Sequence, residues 1–85
     1  MIYAAGEGHS AVVTLLLDRG VPVNARYDND LTALMWAAGN GRIDTVRVLL
    51  ARGADRSLRD NRGMTARQIA QDTAHDDAAK ILAED

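Results

Sequence analysis

Two histidines and one pair of adjacent carboxylates are the residues of this 85-residue chain best suited to chemistry. His9 and His75 have side chains that ligate metals and shuttle protons, and Asp76-Asp77 offers the paired carboxylates that acid–base catalysis uses. Gly6-x-Gly8 and Gly39-x-Gly41 have the glycine spacing of a phosphate-cradling loop, and the hydroxyls of Ser10 and Ser57 would become nucleophiles beside a base. None of these survives a reading of its surroundings. A phosphate loop follows a strand and needs a third glycine, whereas each glycine pair here follows a short apolar run of helical character. No base stands at a suggestive spacing from either serine. Asp76 and Asp77 open a helix, where acidic side chains favour the macrodipole. With no cysteine in the chain, thiolate metal sites and disulfides are excluded. The expectation is no catalytic residue, no metal ligand and no cofactor.

The elements that position these side chains are helices packed closely. Apolar residues make up 47% of the chain, but fifteen are alanine, none is phenylalanine and only Tyr3, Tyr27 and Trp36 are aromatic, so apolar volume is scarce. A formal charge of −2 with mixed signs argues against a general polyanion binder. The longest apolar run, Ala11 to Leu17 broken by Thr14, is too short to span a bilayer, and Met1-Ile2-Tyr3-Ala4-Ala5 has none of the features of a signal peptide. A soluble protein of the cytoplasm is expected.

Glycine spacing reveals the organisation. Gly6 pairs with Gly39, Gly8 with Gly41 and Gly20 with Gly53, each at a separation of 33 residues. Residues 1–26 laid on 34–59 give ten identities, among them Ala4, Gly6, Val13, Leu16, Arg19 and Gly20; 27–52 laid on 60–85 give five. The chain is therefore a repeat array whose last copy has drifted. The repeat also separates the two histidines. They stand two units apart, roughly 20 Å at about 10 Å of packed helix per unit, too far to share a metal.

Within one unit, Thr32 caps a short apolar helix over 33–38 that stops at Gly39-Asn40-Gly41. A second helix over 43–52 places Ile43, Val46, Leu49 and Leu50 on one face and ends at Gly53. The polar stretch 54–64 is too short for a helix and long enough for an extended arm with a tight tip.

These residues resemble the ankyrin repeat. Leu31-Thr32-Ala33-Leu34-Met35-Trp36-Ala37-Ala38-x-x-Gly41 is similar to that family's T-P-L-H-x-A-A-x-x-G-H segment, and Val46-x-x-Leu49-Leu50-x-x-Gly53-Ala54-Asp55 to its V-x-x-L-L-x-x-G-A-D segment. The first unit matches through Ala4-Ala5-Gly6-Glu7-Gly8-His9 and Val12-Val13-x-Leu15-Leu16-Leu17. The resemblance implies an all-α fold, an ankyrin-repeat solenoid of helix-turn-helix units joined by extended β-hairpin-like fingers. The whole chain, 1–85, reads as one array: a truncated first repeat at 1–26, a full repeat at 27–59 and a C-terminal capping repeat at 60–85. Asp30 and Tyr27 depart from the family's tip glycine and tip aspartate.

In proteins similar to this one, the concave side formed by finger tips and first helices binds other proteins without chemistry. The function expected is accordingly a non-catalytic protein–protein interaction module. The partner-binding residues expected are the tips Tyr27, Asp28, Asn29, Asp30, Asp60, Asn61 and Arg62, with Arg26, Arg59 and Met64 alongside and Glu7, Asn40 and Asp72 at the ends of the first helices. Tyr27, Arg59 and Arg62 are the anchors, and their truncation is expected to leave folding nearly untouched. The partner is another protein, with no small-molecule substrate and no membrane insertion.

Two further readings are a structural spacer or end cap of a longer repeat protein and, more remotely, a nucleic-acid binder through 42–67, where seven arginines meet three aspartates. The last unit carries Arg67, Gln68, Gln71 and Ala83 where the middle unit has Leu34, Met35, Ala38 and Leu50, which reads as a terminal cap. The first unit has no such cap, and its open end is expected to show Met1, Ile2, Val12 and Leu16 and to self-associate. Tyr3, Trp36 and Ile69 recur at one repeat position, which implies a packed interface between units with Trp36 as a core residue in it.

Overall fold

The computed structural model describes residues 1–83 and places six α-helices in them, with a short 3-10 turn at Asp28–Asp30. They are α1 (Ile2–Gly6), α2 (Ser10–Asp18), α3 (Ala33–Gly39), α4 (Ile43–Ala51), α5 (Ala66–Asp72) and α6 (Asp76–Ala83). The odd-numbered helices stack on one another as an inner row and the even-numbered ones as an outer row, each pair forming one helix-turn-helix unit.

The inner helices start where the sequence provides a cap. Thr32 Oγ1 accepts from the Met35 amide and Thr65 Oγ1 from the Gln68 amide, each at 3.3 Å. The cap is reciprocal in both units, with the Thr65 amide donating to Gln68 Oε1 at 2.9 Å and the Thr32 amide to Met35 Sδ at 3.4 Å. Thioether sulfur is a weak acceptor, so the middle unit has the weaker box. α1 has no side-chain cap.

Alanine brings the inner row together. Ala5, Ala37, Ala38 and Ala70 are wholly buried, and their small side chains let neighbouring backbones approach closely enough for Leu34 and Met35 to fill the space between units. On α4 the expected face is present: Val46 and Leu49 are buried, Ile43 and Leu50 half-buried. Thr45 is buried beside them, its hydroxyl 2.7 Å from that of Ser10 on α2. At the far end Arg67, Gln68, Gln71 and Ala83 are all exposed, the polar outer face expected of the last unit.

The opposite end differs from expectation. Val12 is exposed, but Met1, Ile2 and Leu16 are half-buried, with Met1 and Leu16 against the core. The large apolar side chains left open there are Tyr3, Val12 and Leu15. α2 turns Leu16 inward with Val13, so the outward positions fall on 12 and 15.

Among the described residues the fingers contain no strand. Their hairpin character is confined to one antiparallel bridge, Arg59 with Thr65, and to the tip hydrogen bonds from the Tyr27 amide to the Leu31 carbonyl (2.9 Å) and from the Asp60 amide to the Met64 carbonyl (3.0 Å).

Candidate functional site

The two finger tips hold the same backbone turn by different means. At the second tip Gly63 takes φ 82°, and the Asp60 carboxylate accepts from the amides of Arg62 (2.9 Å) and Met64 (3.0 Å). Its other oxygen takes Nε and Nη2 of Arg62 at 2.9 and 2.7 Å. Burial pushes this carboxyl up, but the donors from Met64 and Arg62 outweigh it and hold its pKa below the ordinary value. Asp60 is thus buried and fully occupied by its own turn, which corrects the expectation that it is an exposed contact residue. Arg62 covers it and stays exposed.

Tyr27 stands where Asp60 does and offers the turn no carboxylate. The first tip instead bends through two left-handed residues, Asn29 at φ 63° and Asp30 at φ 61°. The neighbouring tip supports it: the Asn61 amide donates to the Asn29 carbonyl at 3.0 Å, and Asn61 Nδ2 to Asn29 Oδ1 at 3.2 Å. Tyr27 is half-buried, whereas Asp28, Asn29, Asp30 and Asn61 are exposed.

Arg26 and the expected anchor Arg59 both serve the backbone of the fingers. Arg26 Nη1 donates to the Arg59 carbonyl at 2.7 Å and reaches the Asp30 carbonyl at 3.4 Å. Arg59 Nη1 donates to the Gly63 carbonyl at 2.7 Å, inside its own finger. Their side chains are exposed but committed, so truncating Arg59, expected to leave folding nearly untouched, removes a hydrogen bond from its own finger. Met64 is half-buried, and Glu7, Asn40 and Asp72 are exposed at the ends of their helices.

The indole of Trp36 corrects another expectation. Tyr3, Trp36 and Ile69 share one repeat position, yet Ile69 is buried while Trp36 is 38% and Tyr3 74% exposed. Each of the later two sits over a glycine of the preceding unit: a Cβ on Gly39 would lie 3.0 Å from Ile69 Cγ2, and one on Gly6 3.5 Å from Trp36 Cε3. An isoleucine is short enough to be covered there, whereas an indole overhangs.

Hollows lie on either side of that overhang. On one side of Trp36 lies a hollow of about 360 Å³ over Gly6, walled by Tyr3 and rimmed by Glu7 and Arg42. On the other lies one of about 150 Å³, lined by Leu31, Met35, Ile69 and Arg62. Trp36 and Asn40 line both. Leu31 and Arg62 continue into a third hollow between the tips, with Asn29 and Asn61. Arg42 is fixed at the rim by its Nε, which donates to the Gly6 carbonyl at 3.0 Å, and its Nη2 stands 3.6 Å from Glu7.

The remaining groups singled out for chemistry have local duties. His75 lies over Gly41 with Nδ1 2.9 Å from the Thr73 hydroxyl, and His9 meets the Tyr3 ring at 6.1 Å. Asp76 and Asp77 occupy the first turn of α6. Among the described residues no group of three or more His, Cys, Asp or Glu side chains is placed to hold a metal ion, and no helix is long and apolar enough to cross a membrane. Sequence reasoning missed Gly6 as a floor and Arg42 as a rim residue; the coincidence of Tyr3 with Trp36 and of Gly6 with Gly39 at the repeat spacing is the signal that marks them.

The family model for ankyrin repeats matches residues 1–85 in three copies, and the chain belongs to that family. No curated protein matches it. Ankyrin repeats are in general modules of protein interaction, and the family is in general non-catalytic.

Proposed function

We propose that this chain is a non-catalytic interaction module that holds a protein partner along the channel from the finger tips across Trp36 to Tyr3. The observation that carries this reading is continuity: three hollows share residues in turn, Leu31 and Arg62 between the first two, Trp36 and Asn40 between the last two. Exposed Trp, Tyr and Arg side chains are the types that dominate binding energy at protein interfaces, and all three occur on this one surface. The tip residues Asp28, Asn29, Asp30 and Asn61 and the helix-end residues Glu7 and Asn40 border it. Arg26, Tyr27, Arg59, Met64 and Asp72 belong to the same contact set, with Asp60 acting through Arg62.

The test is titration of a purified partner, obtained with the intact chain, into isotope-labelled protein. Resonances of the Trp36 indole and of the Asn29, Asn40 and Asn61 amides should move, and those of Arg47 and Lys80 on the outer helices should not. Movement confined to the outer helices places the partner elsewhere. A parent protein that works equally well after substitution of the channel residues makes this segment a spacer.

A further inference from the structure

The amide of Thr32 is a donor in a buried residue, and it rests on a weak acceptor. Its N–H donates to Met35 Sδ at 3.4 Å, and both residues are only 2% exposed. One repeat later the equivalent amide, that of Thr65, donates to a carbonyl oxygen, Gln68 Oε1, at 2.9 Å. The difference follows from position in the array. α3 is packed between α1 and α5, so Met35 is buried, whereas Gln68 on α5 faces solvent at the outer end. A glutamine at position 35 would bury a carboxamide; a thioether avoids that cost but leaves the amide feebly bonded.

One oxygen atom turns that sulfur into a strong acceptor. Hydrogen peroxide oxidises a thioether to the sulfoxide: a sulfur lone pair forms the new S–O bond as the O–O bond breaks. The proton of the transferred hydroxyl passes to the departing hydroxide, which leaves as water. Sulfur gives up two electrons, the peroxide takes them, and nothing else is consumed. The sulfoxide oxygen is polar and reaches beyond the sulfur, and the flexible methionine side chain can bring it to the place that Gln68 Oε1 holds in the last unit. The new polar atom thus meets a waiting donor, and burying it is offset by the hydrogen bond it accepts.

Met35 is also within reach of a small oxidant. It lines the hollow of about 150 Å³ on the Ile69 side of the Trp36 ridge, with Asn40 and Arg62 at the same hollow. A molecule near the size of water occupies about 30 Å³ in the liquid, so the hollow admits peroxide readily. Met1 and Met64, both half-buried against the core, provide the contrast: among the described residues neither sulfur accepts a hydrogen bond.

We propose that Met35 is an oxidation site for small peroxides, and that its sulfoxide completes the cap of α3 as Gln68 completes that of α5. The site is independent of what the channel binds. Graded hydrogen peroxide on the whole chain, with peptide mass mapping and amide exchange at Thr32, tests this. Met35 should gain one oxygen in the folded protein, at a rate that does not rise in urea below the unfolding transition. The Thr32 amide should then exchange about threefold more slowly or better, as a stronger hydrogen bond requires. Met35→Gln should show the slower exchange without peroxide, and Met35→Leu should exchange faster than the parent and give no response to peroxide at that amide. The peroxide experiment uses the unsubstituted chain, so it decides the matter even where a variant folds poorly. Met35 left as thioether while Met1 and Met64 are oxidised overturns the proposal, as does oxidation that needs urea. A Met35 sulfoxide whose Thr32 amide exchanges as fast as before, or faster, overturns it too.

Discussion

Arg26 and Arg59 stand one repeat apart, and Nη1 of the first donates to the main-chain carbonyl of the second at 2.7 Å. A side chain of one finger thereby completes the backbone of the next. Asn24 and Asp55 repeat the device nearer the helices, where the Asp55 amide donates to Asn24 Oδ1 at 2.8 Å. Unit-to-unit cohesion in this array is polar along the fingers, and along the helices it joins apolar packing to the Ser10–Thr45 hydroxyl contact.

Arg26→Ala should therefore destabilise the fold by about 1 kcal/mol, the worth of a charge-assisted hydrogen bond at an exposed site. Urea unfolding reads this directly. Arg26→Lys should recover little, since an ammonium lacks the reach and planarity of the guanidinium. A midpoint unchanged by either substitution would show that the finger tie contributes nothing.

Trp36→Ala should cost about 1–2 kcal/mol, because the indole is over a third exposed, while Leu34→Ala at a fully buried place should cost about 2–5 kcal/mol. Denaturant curves of the two variants side by side check the order. If Trp36→Ala proves the more damaging, the ring is a core residue after all and the channel loses its ridge.

Why Trp36 misled a reading of the sequence is plain from its neighbours. Repeat position alone cannot distinguish it from Ile69, since both lie over a glycine of the unit before; the size of the side chain decides which one is covered. By contrast, Thr32 and the turn glycines were legible, because caps and positive φ are local demands on single residues. Asp60 lay between these cases. Its turn-making role could be read from the tip aspartate it matches, but its burial depends on Arg62 folding back over it.

Asp60 also sets an acid sensitivity. Its pKa is lower in the folded chain than the ordinary 3.8, so its contribution to stability is complete above the unfolded value. That contribution disappears as pH falls from about 4 through the lower folded value. Stability of the parent should thus fall more steeply below about pH 4 than that of Asp60→Asn, which has no charge to lose there. Thermal melts across this window give the comparison, and parallel curves would remove Asp60 from the account.

The first tip carries two left-handed residues without a glycine. Asp30→Gly relieves one of them at the cost of greater freedom in the unfolded chain, for a net gain of about 0.5 kcal/mol. The Arg26 contact to this residue is through its carbonyl and is retained. A lower melting temperature would mean that the Asp30 carboxylate has a structural partner worth more than the strain.

Gly41 and Gly53 separate backbone strain from crowding. Both have positive φ, 69° and 91°, so an alanine at either should lose about 1 kcal/mol or somewhat more to conformation alone. At Gly53 nothing lies within 4 Å of the added methyl group, whereas at Gly41 it would come 2.5 Å from His75 Cδ2 and must displace the ring. Gly41→Ala should consequently be worse than Gly53→Ala by a further 1–3 kcal/mol or so, the usual cost of overpacking. The excess belongs to one contact between neighbouring units, so it should vanish in a His75→Ala background while the Gly53→Ala cost stays the same. If the excess persists without the imidazole, the crowding is with backbone, and His75 is not what holds the third unit's turn against the second.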